Sequence, residues 1–573
     1  MRESTQHRSA DIKLLISLLT PVERKQVLWQ GMAMVCIMLL ELVGIGLLIP
    51  LVAVLFGGGD ELAAYVDSYA VIGALSQQQL GIATISLFMV FYIVKVLILL
   101  KIAAAQEVFP EQFAIRLSQQ IFRYFLTLDL KSRSRAHKAV ERQQIIEYPS
   151  TVARSYLIAL IRLTSEGLVV AGILIFALIL RPTVTLTLLI FLTVLLGLIH
   201  IIDKTKVITM TRAYHRAQRS RDLVVDNALA GITELKLYQA EDFFAEQYSQ
   251  ESIRFGSAMA GYRAIASRPR LLVELGVVAA VSLVLLAMLL TGSGGPDIVI
   301  IALFGGAGMR MLPSLTRISQ ALQAIDFGSY ALRELAPVMA AIHEQQKLDR
   351  RSFDRSKLVQ QSLKISGMRF QYDDGDTPVF EDIRLTLTSG DTLGIRGRSG
   401  SGKSTLARAL AGLIAADIES ITVDGQHLAG SLELADYAIG YVPQRVYIAG
   451  ASILENIVFG GRAAALDQTL LQQVIAQSEL TSLVKTLPSG LDSMVGEHQA
   501  SLSGGEMQRI GIARALYRQP SVLILDEATS ALEESLEKTV IDNCRASSSV
   551  KIMVVISHRS SSLALCSRVI DLD

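Results

Sequence analysis

Six long apolar runs, at about 27–56, 80–105, 156–180, 183–203, 271–293 and 297–318, dominate the first 320 residues. Each is near or above the roughly 20 residues an α-helix needs to cross ~30 Å of hydrocarbon. The pattern predicts six membrane-spanning helices. The first run carries Gly44, Gly46 and Pro50, which predicts a kink or a partly extramembrane end. Past about residue 340 the pattern changes: strand-like alternation begins in Ser352–Asp373, and short β-rich apolar runs then alternate with helical periodicity. That alternation predicts an α/β domain with a largely parallel sheet. The expected organisation is a helical transmembrane domain over 1–340, a linker over 341–361 and an α/β domain over 362–573.

Composition agrees with this division. Hydrophobic residues make up 51% of the 573 and charged residues 19%, against about 25% charged in soluble domains. Mean hydropathy is +0.42, which excludes a single water-soluble globule and a disordered chain. The formal charge of +1, from 54 Lys and Arg against 53 Asp and Glu, gives no support for a nucleic-acid partner. Cys36, Cys544 and Cys566 are scattered and odd in number, with neither a disulfide framework nor metal-ligand spacing.

Orientation follows from the connections. Gly57–Gln79 holds no Lys or Arg, whereas the amino terminus carries Arg2, Arg8, Lys13, Arg24 and Lys25 and the long connections 106–155 and 204–270 are rich in basic residues. The positive-inside rule puts both termini, both long connections and the α/β domain in the cytoplasm. Met1–Gln30 lacks the apolar core and cleavage site of a signal peptide, so none is expected. The two long connections read as helices continuing past the membrane, with breaks near 131–150 and 229–242. They suit either plain solvated hairpins or levers that contact the α/β domain. Gly57–Gln79 suits a short amphipathic helix on the outer face or a plain loop.

Ionisable residues inside the runs point to a cavity or to partners. Arg310 and Arg317 are seven residues apart, within ~20° of one helix face. Lys95 lies roughly 22 Å into the second run at 1.5 Å per residue, and Arg270 opens the fifth. These four are the candidate substrate-cavity residues; snorkelling anchors are the competing account. Glu166 with Arg162, four apart, reads as an ion pair within one helix, and Glu41 and Glu274 are candidate partners of the bases.

The α/β half carries the decisive chemistry. Gly397-Arg398-Ser399-Gly400-Ser401-Gly402-Lys403-Ser404-Thr405 follows the strand Thr392-Leu-Gly-Ile-Arg and opens a helix at Leu406–Leu413. This is the strand–loop–helix setting of a phosphate-binding loop. Its glycines let the backbone wrap the phosphates, Lys403 supplies charge and Ser404 a ligand for Mg2+. Val522-Leu-Ile-Leu-Asp526-Glu527 reads as a buried strand ending in two carboxylates. Asp526 suits the Mg2+ shell and Glu527 the attacking water.

Leu502-Ser503-Gly504-Gly505-Glu506 completes a pattern that resembles the ATP-binding cassette (ABC) superfamily. The resemblance implies a half-size exporter whose cassettes pair head to tail, each ATP lying between one chain's phosphate loop and the other chain's Ser503, Gly504 and Gly505. It further implies adenine stacking on Tyr372, a metal-site and coupling role for Gln444, and a γ-phosphate contact from His558. A homodimer is the expected assembly. Two departures stand out: Glu506 where the family has Gln, and Glu533 where it has Asp.

Arg310-Met-Leu-Pro-Ser-Leu-Thr-Arg317, Pro269-Arg270-Leu-Leu-Val-Glu274, Val90-Phe-Tyr-Ile-Val-Lys95 and Glu41-Leu-Val-Gly-Ile-Gly-Leu-Leu-Ile-Pro50 resemble the PglK-type lipid-linked oligosaccharide flippases. That implies an ATP hydrolase in a bacterial inner membrane, turning over a lipid-linked saccharide whose pyrophosphate meets Lys95, Arg270, Arg310 and Arg317. Lys95 stands where those flippases have Arg, and lacks the bidentate fork. An exporter of processed peptides, and a nucleotide-gated channel or regulator without productive turnover, are the alternatives.

Overall fold

The computed structural model describes residues 2–47, 77–128, 138–180, 182–290, 298–348, 357–372, 377–460, 466–496 and 502–572. Two compact units emerge: Met1–Thr127 with Ala136–Asp349, and a second built on Arg350–Asp573. Residues 57–76 of the expected surface helix or loop at Gly57–Gln79, and residues 131–137 of the break near 131–150, lie outside the described residues.

The first unit is helical. Helices α1 (Arg2–Leu18) and α2 (Pro21–Gly46) are separated by Thr20, whose hydroxyl accepts from the Glu23 amide while the Glu23 carboxylate accepts from the Thr20 amide at 2.8 Å. With Pro21 in the first helical position, this reciprocal cap starts α2 sharply. Four further long helices follow: α3 (Gln77–Thr127), α4 (Ile158–Leu180), α5 (Pro182–Ala230) and, after the short α6 (Ile232–Leu237), α7 (Glu241–Leu290). Helix α8 (Ile298–Leu348) closes the unit. A helix of 51 residues such as α3 is about 75 Å long, more than twice the hydrocarbon thickness. Among the described residues, Pro21–Gly46, Gly81–Thr127 and Val140–Ile179 are long and apolar enough to cross a membrane. Helices α5, α7 and α8 overlap the other three apolar runs. The interruption near 229–242 is present as Gly231, α6 and a turn at Tyr238–Ala240.

Before α4 the helical ladder slips twice into π geometry, at Gln143–Glu147 and Val152–Leu157, on either side of Pro149, which has no amide to donate. The second π turn packs against α8. A Cβ on Gly328 would lie 2.8 Å from the Tyr156 amide nitrogen, so only glycine permits this approach. Arg333 of α8 pins α1 through two bonds to Asp11, at 3.0 and 2.8 Å.

The second unit places a five-stranded parallel sheet, in the order β11-β3-β10-β9-β6, beside a four-stranded antiparallel sheet, β2-β1-β4-β5, and a two-stranded ribbon, β7-β8. The strands are β1 (Ser362–Phe370), β2 (Phe380–Thr388), β3 (Thr392–Arg396), β4 (Ser420–Val423), β5 (Gln426–Leu428), β6 (Ile439–Val442), β7 (Ala451–Ser452), β8 (Met494–Val495), β9 (Val522–Asp526), β10 (Ile552–Ile556) and β11 (Arg568–Asp571). Both β9 and β10 are buried at every residue. That is why they read as unbroken apolar runs: a parallel strand covered on both faces has no solvent side to alternate with. Two apolar clusters share the sheet's residues. Ile524 and Val554 join one with Leu406 and Leu410, while Leu523 and Val555 join the other with Ile510 and Ile541.

Candidate functional site

The sheet order decides the geometry of the phosphate site. β10 lies between β3 and β9, so the loops leaving β3, β9 and β10 converge at the carboxyl ends of three adjacent strands, where open α/β sheets bind ligands. From β3 runs the loop Gly397–Gly402, and helix α9 (Lys403–Leu410) follows it. Gly400 and Gly402 take φ of +87° and +89°, a left-handed backbone that favours glycine. At Gly397 the limit is space: a Cβ there would lie 2.2 Å from the Leu572 carbonyl. Lys403 is buried and donates to the carbonyls of Gly397 and Arg398 at 2.8 and 2.7 Å, which holds its ammonium inside the loop. The Tyr372 hydroxyl is 3.3 Å from Thr405 Oγ1, and its ring stands edge-on to Phe370 beside the loop.

Both carboxylates at the end of β9 are held by neutral or imidazole groups. Asp526 accepts from Ser404 Oγ at 3.1 Å and from the Tyr441 hydroxyl at 3.0 Å. Burial, and then the neighbouring Asp526 charge, push the Tyr441 phenol up to about 12, so it stays a donor. Glu527 accepts from Gln444 Nε2 at 2.6 Å and faces His558 Nε2 at 2.7 Å. Its backbone is left-handed, with φ +51°, strain of the kind that persists where the surroundings over-determine a functional position. Gln444, Lys403, Ser404, Asp526, Glu527 and His558 are thus assembled in one place by four elements.

Ser503, Gly504 and Gly505 head a different helix, α10 (Gly504–Leu516). Glu506 completes a reciprocal cap with Ser503: its carboxylate accepts from the Ser503 amide at 2.7 Å, and its amide donates to the Ser503 hydroxyl at 3.3 Å. A Gln would serve that cap equally. The two glycines give α10 close access to the next loop, since a Cβ on Gly505 would meet the Ala531 carbonyl at 3.1 Å. Gln508, which the sequence reading did not single out, links the same elements. It donates to the Glu527 carbonyl and to Ser530 Oγ, and accepts from the Ala531 amide. Tyr441 was also missed, although it lies three residues before Gln444. The pairing of β6 with β9, Val442 beside Leu525, is what brings its hydroxyl to Asp526.

In the helical unit the structure rearranges the expected charges. Glu166 does not pair with Arg162; Arg162 bonds Glu107 at 2.9 Å on the surface. Four helices instead supply one alternating series. Lys95 Nζ is 3.0 Å from Glu41 Oε2, Arg310 Nε is 3.0 Å from the same oxygen, Arg310 Nη1 is 4.0 Å from Glu166 Oε2, and Arg317 bonds Glu166 Oε1. Three of the four proposed cavity bases therefore carry carboxylate partners. Arg270 is exposed, as is Glu274, and both stand outside the series.

Residues 380–530 match the family described as ABC transporter. The chain carries an ABC transporter domain on an exporter fold. The fold rests on a likeness to a structure described as a bacterial Atm1-family ABC exporter with ATP bound, with a TM-score of 0.75 at 20% identity over 95% of this chain and 93% of that one. The ABC domain is an ATP-binding domain. An ATP-dependent lipid A-core flippase from Alkalilimnicola ehrlichii is 30% identical over 362 residues, 61% of this chain and 59% of that protein. One of the same description from Alcanivorax borkumensis is 27% identical over 471 residues, 81% and 79% of the two chains. The alpha-hemolysin translocation protein HlyB of Escherichia coli O157:H7 is 34% identical over 216 residues, 38% of this chain and 30% of its own. The chain spans less than two thirds of the length of the Alkalilimnicola ehrlichii flippase and of HlyB.

Proposed function

We propose that this protein is half of an ATP-driven membrane exporter that moves an anionic amphiphile, a lipid-linked saccharide being the cargo the residues suit best, from the cytoplasmic to the outer side. The observation that carries the ATPase is Glu527 held between Gln444 and His558, one residue from an Asp526 already bonded to the phosphate-loop serine. Ser404 Oγ, Asp526 and Gln444 offer the hard oxygen donors that Mg2+ takes, and the bound ion would neutralise phosphate charge. Lys403 grips the β/γ-phosphates, Glu527 orients and deprotonates the attacking water, and His558 steadies the γ-phosphate side. Two copies of the chain are required, because Ser503, Gly504 and Gly505 of one would close on the phosphate loop of the other; the amides and hydroxyl at the head of α10 suit an anion.

An amphiphilic cargo is supported by two relatives matched over 61% and 81% of the chain, both described as lipid A-core flippases, and by three linked cations, Lys95, Arg310 and Arg317, set against two carboxylates, Glu41 and Glu166. The match to HlyB extends over only 38% of the chain, so it bears on the cassette and not on the cargo. The test is ATPase activity of the reconstituted protein against polyprenyl-pyrophosphate glycolipids and against peptides, with Glu527→Gln as the inactive control. Stimulation by the glycolipids that is lost in Arg310→Ala is the expected result. Stimulation by peptides alone, indifferent to Arg310, overturns the cargo assignment, and absence of any turnover above Glu527→Gln overturns the ATPase.

A further inference from the structure

Lys95, Glu41, Arg310, Glu166 and Arg317 form a series of alternating sign, each residue lying in one of the apolar runs. Three cations against two carboxylates leave a net positive charge where charge is costly. Glue alone does not explain this, because buried ion pairs stabilise no better than well-packed apolar residues. The two halves of the series are also built differently.

At one end Lys95 and Glu41 are sealed. Their side chains are 7% and 8% exposed. The Lys95 ammonium sits 4.6 Å from the centre of the Tyr92 ring, and a Cβ on Gly44 would come within 3.3 Å of it, so Gly44 makes the space Lys95 fills. At the other end the arginines are accessible: Arg310 is 22% exposed and Arg317 48%. The carboxylate between them is only half satisfied. Glu166 Oε2 is buried with no hydrogen-bond partner, and Arg310 Nη1 stands 4.0 Å from it. Arg310 Nη1 is itself bonded to Ser314 Oγ at 2.9 Å, which fixes the guanidinium whether or not Glu166 faces it.

We propose that Glu166 is an exchangeable internal counter-ion. An anionic headgroup of the phosphate class displaces the Glu166 carboxylate from Arg317 and Arg310, while the Lys95–Glu41 pair remains as the fixed end that positions Arg310. Guanidinium forks take phosphate in bidentate fashion, a firmer hold than Glu166 has on Arg310 at 4.0 Å or on Arg317 through one carboxylate oxygen. Glu166 then sets the affinity threshold: it keeps the arginines neutralised until an anion of higher charge arrives. This rests on the proposed anionic cargo, and the experiment separates the two.

The measurement is binding of geranylgeranyl pyrophosphate to the full chain in phosphatidylcholine nanodiscs, with uncharged geranylgeraniol and inorganic pyrophosphate alongside. Glu166→Gln should tighten pyrophosphate-lipid binding about tenfold, whereas Glu41→Gln should not tighten it. Glu166→Asp, which withdraws the carboxylate by one methylene, should tighten it by a smaller factor, and serves if the Gln variant fails to fold. Unchanged or weaker binding in both Glu166 variants, with Arg310→Ala still weakening it, overturns the counter-ion and leaves the anionic cargo standing. Binding indifferent to Arg310→Ala overturns both. Equal tightening for inorganic pyrophosphate supports the exchange and assigns it to a soluble anion.

Discussion

The two units satisfy buried carboxylates in opposite ways. In the cassette, Asp526 and Glu527 are held by a serine, a tyrosine, a glutamine and an imidazole. In the helical unit, Glu41 and Glu166 are held by lysine and arginines. Neutral donors fix a carboxylate's position and leave its charge free for a metal ion or a proton. Fixed cations cancel that charge and bind four helices together. The cassette is organised for chemistry on an incoming cation and phosphate, and the helical unit for balance within a medium that tolerates no bare charge.

Removing one partner should therefore cost very different amounts in the two places. Lys95→Met leaves Glu41 buried beside Arg310 alone, and Glu41→Gln leaves Lys95 buried without a counter-ion. Glu41→Gln should destabilise by about 3 kcal/mol, since it leaves a buried charge uncompensated, and Lys95→Met by less, because Arg310 Nε still faces Glu41 at 3.0 Å. The double substitution Lys95→Met/Glu41→Gln should recover at least half of the summed loss. By contrast Tyr441→Phe, which takes a neutral donor from Asp526, should cost only about 1 kcal/mol. Thermal unfolding of the detergent-solubilised chain measures all four, and additive singles would break the comparison.

How much of this was readable in advance follows the same line. The phosphate loop is legible because its chemistry is local: glycines, lysine and serine act within nine consecutive residues, with β3 before them as expected and a helix that opens at Lys403 rather than at Leu406. Asp526 and Glu527 are legible as the end of an apolar strand. The charge series is not, because Lys95 and Glu41 are 54 residues apart and Arg317 and Glu166 are 151 apart. Each ion could be placed in its run, but pairing depends on which helix faces lie together. The local i, i+4 rule duly chose Arg162 for Glu166, and helix packing gave Arg317. Tyr441 and Gln508 escaped for a similar reason, since their roles arise from strand order and from the approach of α10 to the loop at Ser530–Ala531.

A third way of burying a polar group sharpens the contrast. His215, on the part of α5 beyond the apolar run, is buried with neither ring nitrogen bonded. It stacks on Tyr330 at 4.7 Å and meets the edges of Tyr148 and Tyr214. Burial first, and then the Arg219 charge, lower its pKa to about 4, so it is accommodated by remaining neutral. An unfolded-chain histidine takes up a proton near 6.5. Between those values the unfolded state binds more protons, and stability falls as pH drops. From pH 7 to pH 5 the loss at this site should be roughly 2 kcal/mol. His215→Phe, which keeps a ring in the stack, should remove that component of the pH dependence of unfolding; an unchanged slope would show that His215 takes up its proton as readily folded as unfolded.

The smallest effect tests a departure from the family pattern within the cassette. Glu533 stands at the N-cap of α11 (Glu534–Ala546), with the extended backbone of a cap, φ −67° and ψ 149°, but makes no side-chain bond to the helix amides. Its carboxylate is one methylene too long for the short reach that Asp achieves at this position. The opening turn does carry Glu534 and Glu537, which suit the helix dipole, but Glu537 is turned inward to Thr529 and Ser562 at 2.6 Å each. The first amides of α11 thus lack the bond that Ser503 and Ser452 provide for their own helices. Glu533→Asp should supply it and raise cassette stability by about 0.7 kcal/mol, read as a small upward shift in unfolding midpoint. Glu533→Ala should be nearly neutral, because no cap bond exists to lose. A marked loss in Glu533→Ala would mean that this carboxylate is committed elsewhere, as a contact across paired cassettes would require.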